Sequence, residues 1–189
     1  MEFGFIITSI LLILFAILGM YDGFYLHIFR YRLHERAESK FEHLTHTIRS
    51  VLFPLILYFL CLGQSLTAIS IGILFVVLDV LVLGVDAYVE KDSRVFMGGL
   101  PRWEYIIHLF VNGFHFALIC TLLVLKLQYM NGEFIFMNQF ENVNSYVVFI
   151  FLVKNILPGA IALALLHVLV SFESTVCYWN KLRNRITCC

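Results

Sequence analysis

Apolar residues fill 3–21 (FGFIITSILLILFAILGMY) and 51–62 (VLFPLILYFLCL) almost without interruption. A helix needs roughly 20 apolar residues to cross the hydrocarbon of a bilayer. On that pattern the chain predicts an all-α, polytopic integral membrane helix bundle with spans at about 4–29, 50–66, 68–90, 103–126 and 146–172. Gly63, Gln64 and Ser65 predict a tight turn between the second and third spans, and Gly98, Gly99 and Pro101 break the chain before the fourth. Residues 127–145, amphipathic and aromatic-rich, read as a short hairpin or an interfacial segment. Pro54 and Pro158 predict kinks in their spans. All of 1–189 reads as a single transmembrane domain.

One stretch breaks the apolar pattern. Residues 32–46 (RLHERAESKFEHLTH) crowd three histidines, three acids and three bases together. As a helix over 33–47, only Leu33, Ala37, Phe41 and Leu44 are apolar, in one narrow stripe. This segment is therefore expected to be a short amphipathic cytoplasmic helix that extends or follows the first span.

Composition agrees with a membrane protein. The 189 residues are 61% hydrophobic and only 14% charged, where a soluble domain is about one quarter charged. Mean hydropathy is +0.89. Zero net charge argues against nucleic acid as a partner. The N-terminal run lacks a basic leader and a small-residue cleavage site, so it reads as a retained span. Of the five cysteines, Cys61 and Cys120 sit in apolar runs and read as small core residues. The terminal Cys188 and Cys189 read as a lipidation site, a metal site or a plain tail, and no disulfide framework is visible.

Charge placement predicts orientation. Arg30, Arg32, Arg36, Lys40 and Arg49 follow the first span, Lys91, Arg94 and Arg102 follow the third, and Lys181, Arg183 and Arg185 follow the fifth. These lie on one side of a five-span arrangement. The positive-inside rule then predicts an external N-terminus and a cytoplasmic C-terminus.

The ionisable residues within the spans carry the candidate chemistry, because an unpaired charge in hydrocarbon costs several kcal/mol. Span one and its extension hold His27, His34, Glu38 and Glu42; span three holds Asp79, Asp86 and Glu90; span four holds Glu104, His108 and His115. At about 100° per residue, each set falls within roughly 40–60° of one helix face. Such stripes avoid lipid by facing one another, which predicts a cavity at the inner leaflet. Mixed imidazole and carboxylate groups on facing helices hold iron, manganese or zinc.

His34, Glu38, Glu42, His46, Asp86, Glu90, Glu104 and His108 are the expected metal ligands, with Asp22, His27, Asp79, His115 and His167 deeper or behind them. Asp22 lies off the span-one stripe and reads equally as a helix-kink partner. Arg30, Arg36 and Arg94 are expected at the cavity rim. The His-rich face is similar in logic to that of membrane desaturases and hydroxylases. Their HxxxH and HxxHH boxes are absent, so none of their residue roles transfers.

The reading that follows is a metal-dependent membrane oxidoreductase with two divalent ions, iron favoured over zinc or manganese. Its substrate is a lipid or other apolar molecule at the cytoplasmic leaflet, and further subunits or a second copy are allowed. The alternatives are a divalent-metal or proton transporter, a b-type haem protein, and a structural or assembly protein.

Overall fold

The computed structural model describes residues 1–130 and 132–187. Helix α1 (Glu2–Gly19) continues without a break into a wider-wound segment, Met20–Arg30, whose backbone bonds run from residue i+5 to residue i. The Tyr31 amide closes that segment on the Leu26 carbonyl at 2.8 Å. Two single turns (Leu33–Glu35 and Ala37–Ser39) lead to α2 (Lys40–Ile56), which ends in a second wide-wound segment, Leu57–Leu62. Then come α3 (Leu66–Ser93), a turn at Val95–Met97, α4 (Arg102–Lys126), an antiparallel hairpin of β1 (Leu127–Met130) and β2 (Glu133–Phe136), α5 (Asn144–Leu169) and α6 (Glu173–Thr187). Among the described residues, five helices are long and apolar enough to cross a membrane.

The segment 33–47 is not one helix. Arg32 takes a left-handed conformation (φ 56°, ψ 51°) that turns the chain back after the first span. The polar stretch then divides: 33–39 forms the turns, and residues from Lys40 onward open α2 itself. The second span therefore begins about ten residues earlier than apolarity alone suggests. The fifth ends at Leu169 rather than 172, and the hairpin falls where one was anticipated. Helix α6 had no counterpart in the apolar pattern. Pro54 and Pro158 lie inside continuing helices, and the wide winding of α2 begins three residues beyond Pro54. Cys188 and Cys189 lie outside the described residues.

Helix α1 packs between α4 and α5, and α2 packs between α3 and α5. One end of the bundle is apolar: Phe5, Leu12, Leu57, Leu60, Leu118, Leu122 and Phe149 form a single buried cluster. Close approach of α2 and α3 depends on Gly72, where a Cβ would stand 2.9 Å from the Leu60 Cβ and backbone nitrogen. At the same end Lys126 is buried and donates to the carbonyls of Leu60 (2.7 Å), Cys61 (3.0 Å) and Gly63 (2.8 Å). These acceptors are orphan carbonyls at the end of the second span, where a cation is favoured. Glu2 does the converse service for α5, accepting from the Asn144 and Ser145 amides at 2.9 Å each. The opposite end of the bundle collects the ionisable residues.

Candidate metal centre

Four spans and one turn converge on this polar end. The first span brings Asp22 and His27, α2 brings Glu42, His46 and Arg49, α3 brings Asp79, Asp86 and Glu90, and α4 brings Glu104, His108 and His115. Arg94 enters from the turn after α3.

Asp22 and His27 meet because of the wide winding. In an α-helix residues five apart diverge on the helix surface, whereas an i+5 repeat carries the second back over the first. Asp22 Oδ1 stands 3.3 Å from His27 Nε2 and 3.0 Å from His108 Nε2. His108 Nδ1 in turn contacts Glu90. His46 Nε2 lies 3.2 Å from Asp86 Oδ2 and 3.7 Å from Glu42 Oε1, and its ring meets the His27 ring edge-on with centroids 4.0 Å apart. Thr45 donates to Asp86 and fixes the carboxylate on the α2 side.

Among the described residues, two groups of three bring ligand atoms within 4.8 Å of one another: Asp22, His27 and His108, and His27, Glu42 and His46. His27 belongs to both. For an ion with bonds of about 2.0–2.2 Å, ligand atoms lie about 3.0–3.5 Å apart, which brackets the Asp22–His27 and Asp22–His108 separations of 3.3 and 3.0 Å. The donors mix nitrogen and carboxylate oxygen, as iron, manganese and zinc sites do.

Arg94 is the hub of the end nearest the turns. It is fully buried, whereas the sequence suggested a cavity rim. Its Nη1 donates to Glu42 Oε2 at 2.5 Å, and its Nε and Nη2 donate to Glu104 Oε1 at 2.9 and 2.6 Å. Burial opposes its charge, but the Glu42 and Glu104 carboxylates outweigh that and raise its pKa. Ser93 also donates to Glu42. Glu104 therefore serves Arg94 and belongs to neither triad. Arg36 lies over the Phe96 ring at 3.8 Å, and the exposed Arg30 lies over Tyr31 and Trp103 at 5.4 and 5.8 Å.

A deeper layer joins Arg49, Asp79 and His115. Arg49 Nε donates to Asp79 Oδ1 at 3.1 Å and its Nη2 to Asn112 Oδ1 at 2.8 Å, while His115 Nε2 lies 3.2 Å from Asp79 Oδ2. To one side His34, His43 and His167 form a row with successive ring centroids 5.6 Å apart. His34 stands next to Glu35, at 3.5 Å, and burial lowers its pKa below the ordinary imidazole value. Glu38 is exposed on the second turn, away from the triads.

Of the eight ligands expected from sequence, Glu42, His46 and His108 fall in the triads; Asp86, Glu90 and Glu104 touch triad members or Arg94. His34 and Glu38 are carried aside because the chain leaves the helix at Tyr31 and does not extend the stripe of His27. Asp22 and His27, expected behind the ligands, fall in the triads. An α-helical period hides their pairing.

No family model, curated protein or solved structure matches this chain.

Proposed function

We propose that this chain is an integral membrane metalloenzyme, an oxidoreductase whose two triads hold two transition-metal ions, iron favoured, and whose substrate is apolar and drawn from the bilayer. The observation that carries the reading is the gathering of imidazole nitrogens and carboxylate oxygens within 4.8 Å of one another, from Asp22, His27 and His108 and from His27, Glu42 and His46, at the polar end of the bundle. Nitrogen and carboxylate donors in such a group suit a transition-metal ion.

Charge balance is compatible with it. The cluster joins six carboxylates (Asp22, Glu42, Asp79, Asp86, Glu90, Glu104) to two guanidiniums, Arg49 and Arg94. With all six ionised, two divalent ions would supply the four positive charges that remain, as would protons on His27, His46, His108 and His115. When bound, such ions supply Lewis-acid and redox chemistry. The apolar cluster around Phe5, Leu12 and Phe149 seals the other end of the bundle, which supports a closed site over a transport path.

A second reading rests on Arg94 and Arg49. Their ion pairs are those of a structural polar core, and in that case the histidines carry the missing charge. Elemental analysis of protein purified in detergent with iron supplied separates the two. About two metal equivalents per chain support the metalloenzyme; a folded, metal-free protein leaves the structural core.

A further inference from the structure

Helix α6 (Glu173–Thr187) follows the fifth span and takes no part in the triads. With 15 residues, three of them basic and one acidic, it is too short and too polar to cross a bilayer.

One face of α6 is seated on the first span. Trp179 meets the Phe24 ring edge-on, with centroids 6.1 Å apart. Asn180 Nδ2 donates to Glu35 Oε1 at 2.8 Å. Arg183 Nη1 donates to the Phe29 carbonyl at 3.3 Å, and its guanidinium lies 6.0 Å from the centre of the Phe29 ring. These partners fix the level of α6 at the last turns of the first span. The same turns carry the exposed Tyr21 and Tyr25, stacked on each other at 5.3 Å, with Tyr25 stacked on Phe29 at 6.0 Å. Tyrosines at the end of a span mark the headgroup level of a bilayer.

The outer face of α6 is apolar with a basic edge. Tyr178, Leu182 and Ile186 recur every four residues, so they fall within about 80° of the helix surface. They are 73, 52 and 60% exposed, which leaves a continuous apolar stripe uncovered by this chain. Lys181 and Arg185, both exposed, lie on the adjoining arc, and Lys181 Nζ stands 5.8 Å from the centre of the Tyr178 ring. The one acid, Glu173, is in the first turn, two turns or more from these bases. An apolar stripe edged by bases is the build of a helix lying in the membrane interface, with its apolar side sunk about 5–10 Å into the headgroup boundary. Long basic side chains rest their stems on the apolar layer and carry their charge out to the phosphates. The level of α6 beside the tyrosines, added to the stripe, selects a lipid surface over a soluble partner.

We infer that α6 lies in the headgroup layer at the polar end of the bundle and binds acidic phospholipid there. Tyr178, Leu182 and Ile186 face the acyl chains, and Lys181 and Arg185 take the anionic headgroup. The inference goes beyond the metalloenzyme reading and does not depend on it.

The test uses the full chain in nanodiscs of phosphatidylcholine and phosphatidylserine in equal parts. Photoreactive benzoylphenylalanine replaces Tyr178, Leu182 or Asn184, one at a time, and mass spectrometry identifies the adducts. Positions 178 and 182 should crosslink to lipid, with the serine lipid favoured over the choline lipid by about threefold or more. Position 184, on the opposite arc, should give little lipid adduct. The double variant Lys181→Glu with Arg185→Glu alters none of the seating residues Trp179, Asn180 and Arg183. It should keep the lipid adducts at 178 and lose the preference for the serine lipid. Crosslinks from 178 and 182 to a second copy of the chain, lipid adducts in proportion to the mixture, equal lipid adducts at 184, or an undiminished preference in the double variant would each overturn the inference.

Discussion

His27 reaches Asp22 across five residues, Nε2 to Oδ1 at 3.3 Å, because the backbone between them is wound with i+5 bonds. That one change of winding sets a histidine of the first span between the two candidate triads. Segments of this kind are rare and concentrate at functional sites.

Sharing has a consequence for stoichiometry. With one ring nitrogen of His27 serving each ion, His27→Ala should lose both, whereas Asp22→Asn and Glu42→Gln should each lose one. Removing groups that only support ligands costs about 10–100-fold in metal affinity, and these losses should be at least as large. Elemental analysis after titration with a competing chelator reads the result. Loss of a single ion in His27→Ala would remove the shared-ligand arrangement.

Arg94 and His108 should separate stability from metal binding. Arg94→Met leaves Glu42 and Glu104 buried without their cation, which should cost about 3–5 kcal/mol. Glu104→Gln should likewise lower the melting temperature while keeping both ions, since Glu104 pairs with Arg94 and lies outside the triads. His108→Ala should do the reverse and shed an ion from a folded protein. Thermal unfolding in detergent beside metal content checks all three.

His34 makes a pH test possible outside the spans. Burial is the main cause of its lowered pKa, with the Glu35 carboxylate acting in the opposite direction. The unfolded chain then binds this proton more tightly than the folded one. The stabilisation is complete above the ordinary imidazole pKa of about 6.5 and is lost as pH falls through the lower folded value. Wild type should therefore lose melting temperature on acidification faster than His34→Gln; parallel profiles between about pH 7 and 5 would show that the residue contributes nothing.

The basic residues at 30–49, 91–102 and 181–185 predict an orientation. A reporter after residue 189 should be cytoplasmic, and a tag before Met1 should be accessible from outside intact cells. Both ends on one side would contradict five crossings.

Much of this architecture was legible in the amino-acid order. Spans announce themselves because a bilayer admits only backbone that satisfies itself over about 20 apolar residues. The stripes of α3 and α4 were legible for a related reason: Asp79, Asp86, Glu90, His108 and His115 lie on regular α-helix, where spacing translates directly into facing. What only the tertiary structure decided lies where that regularity fails. The wide winding at Met20–Arg30 brings Asp22 onto His27, and the left-handed Arg32 sends His34 aside. Residues from Lys40 begin a span despite their polarity, because Glu42, His46 and Arg49 find partners on α3 and α4 once the bundle closes. Hydropathy counts each charge as alone, whereas burial prices it with its partner, and the partners are far away in sequence.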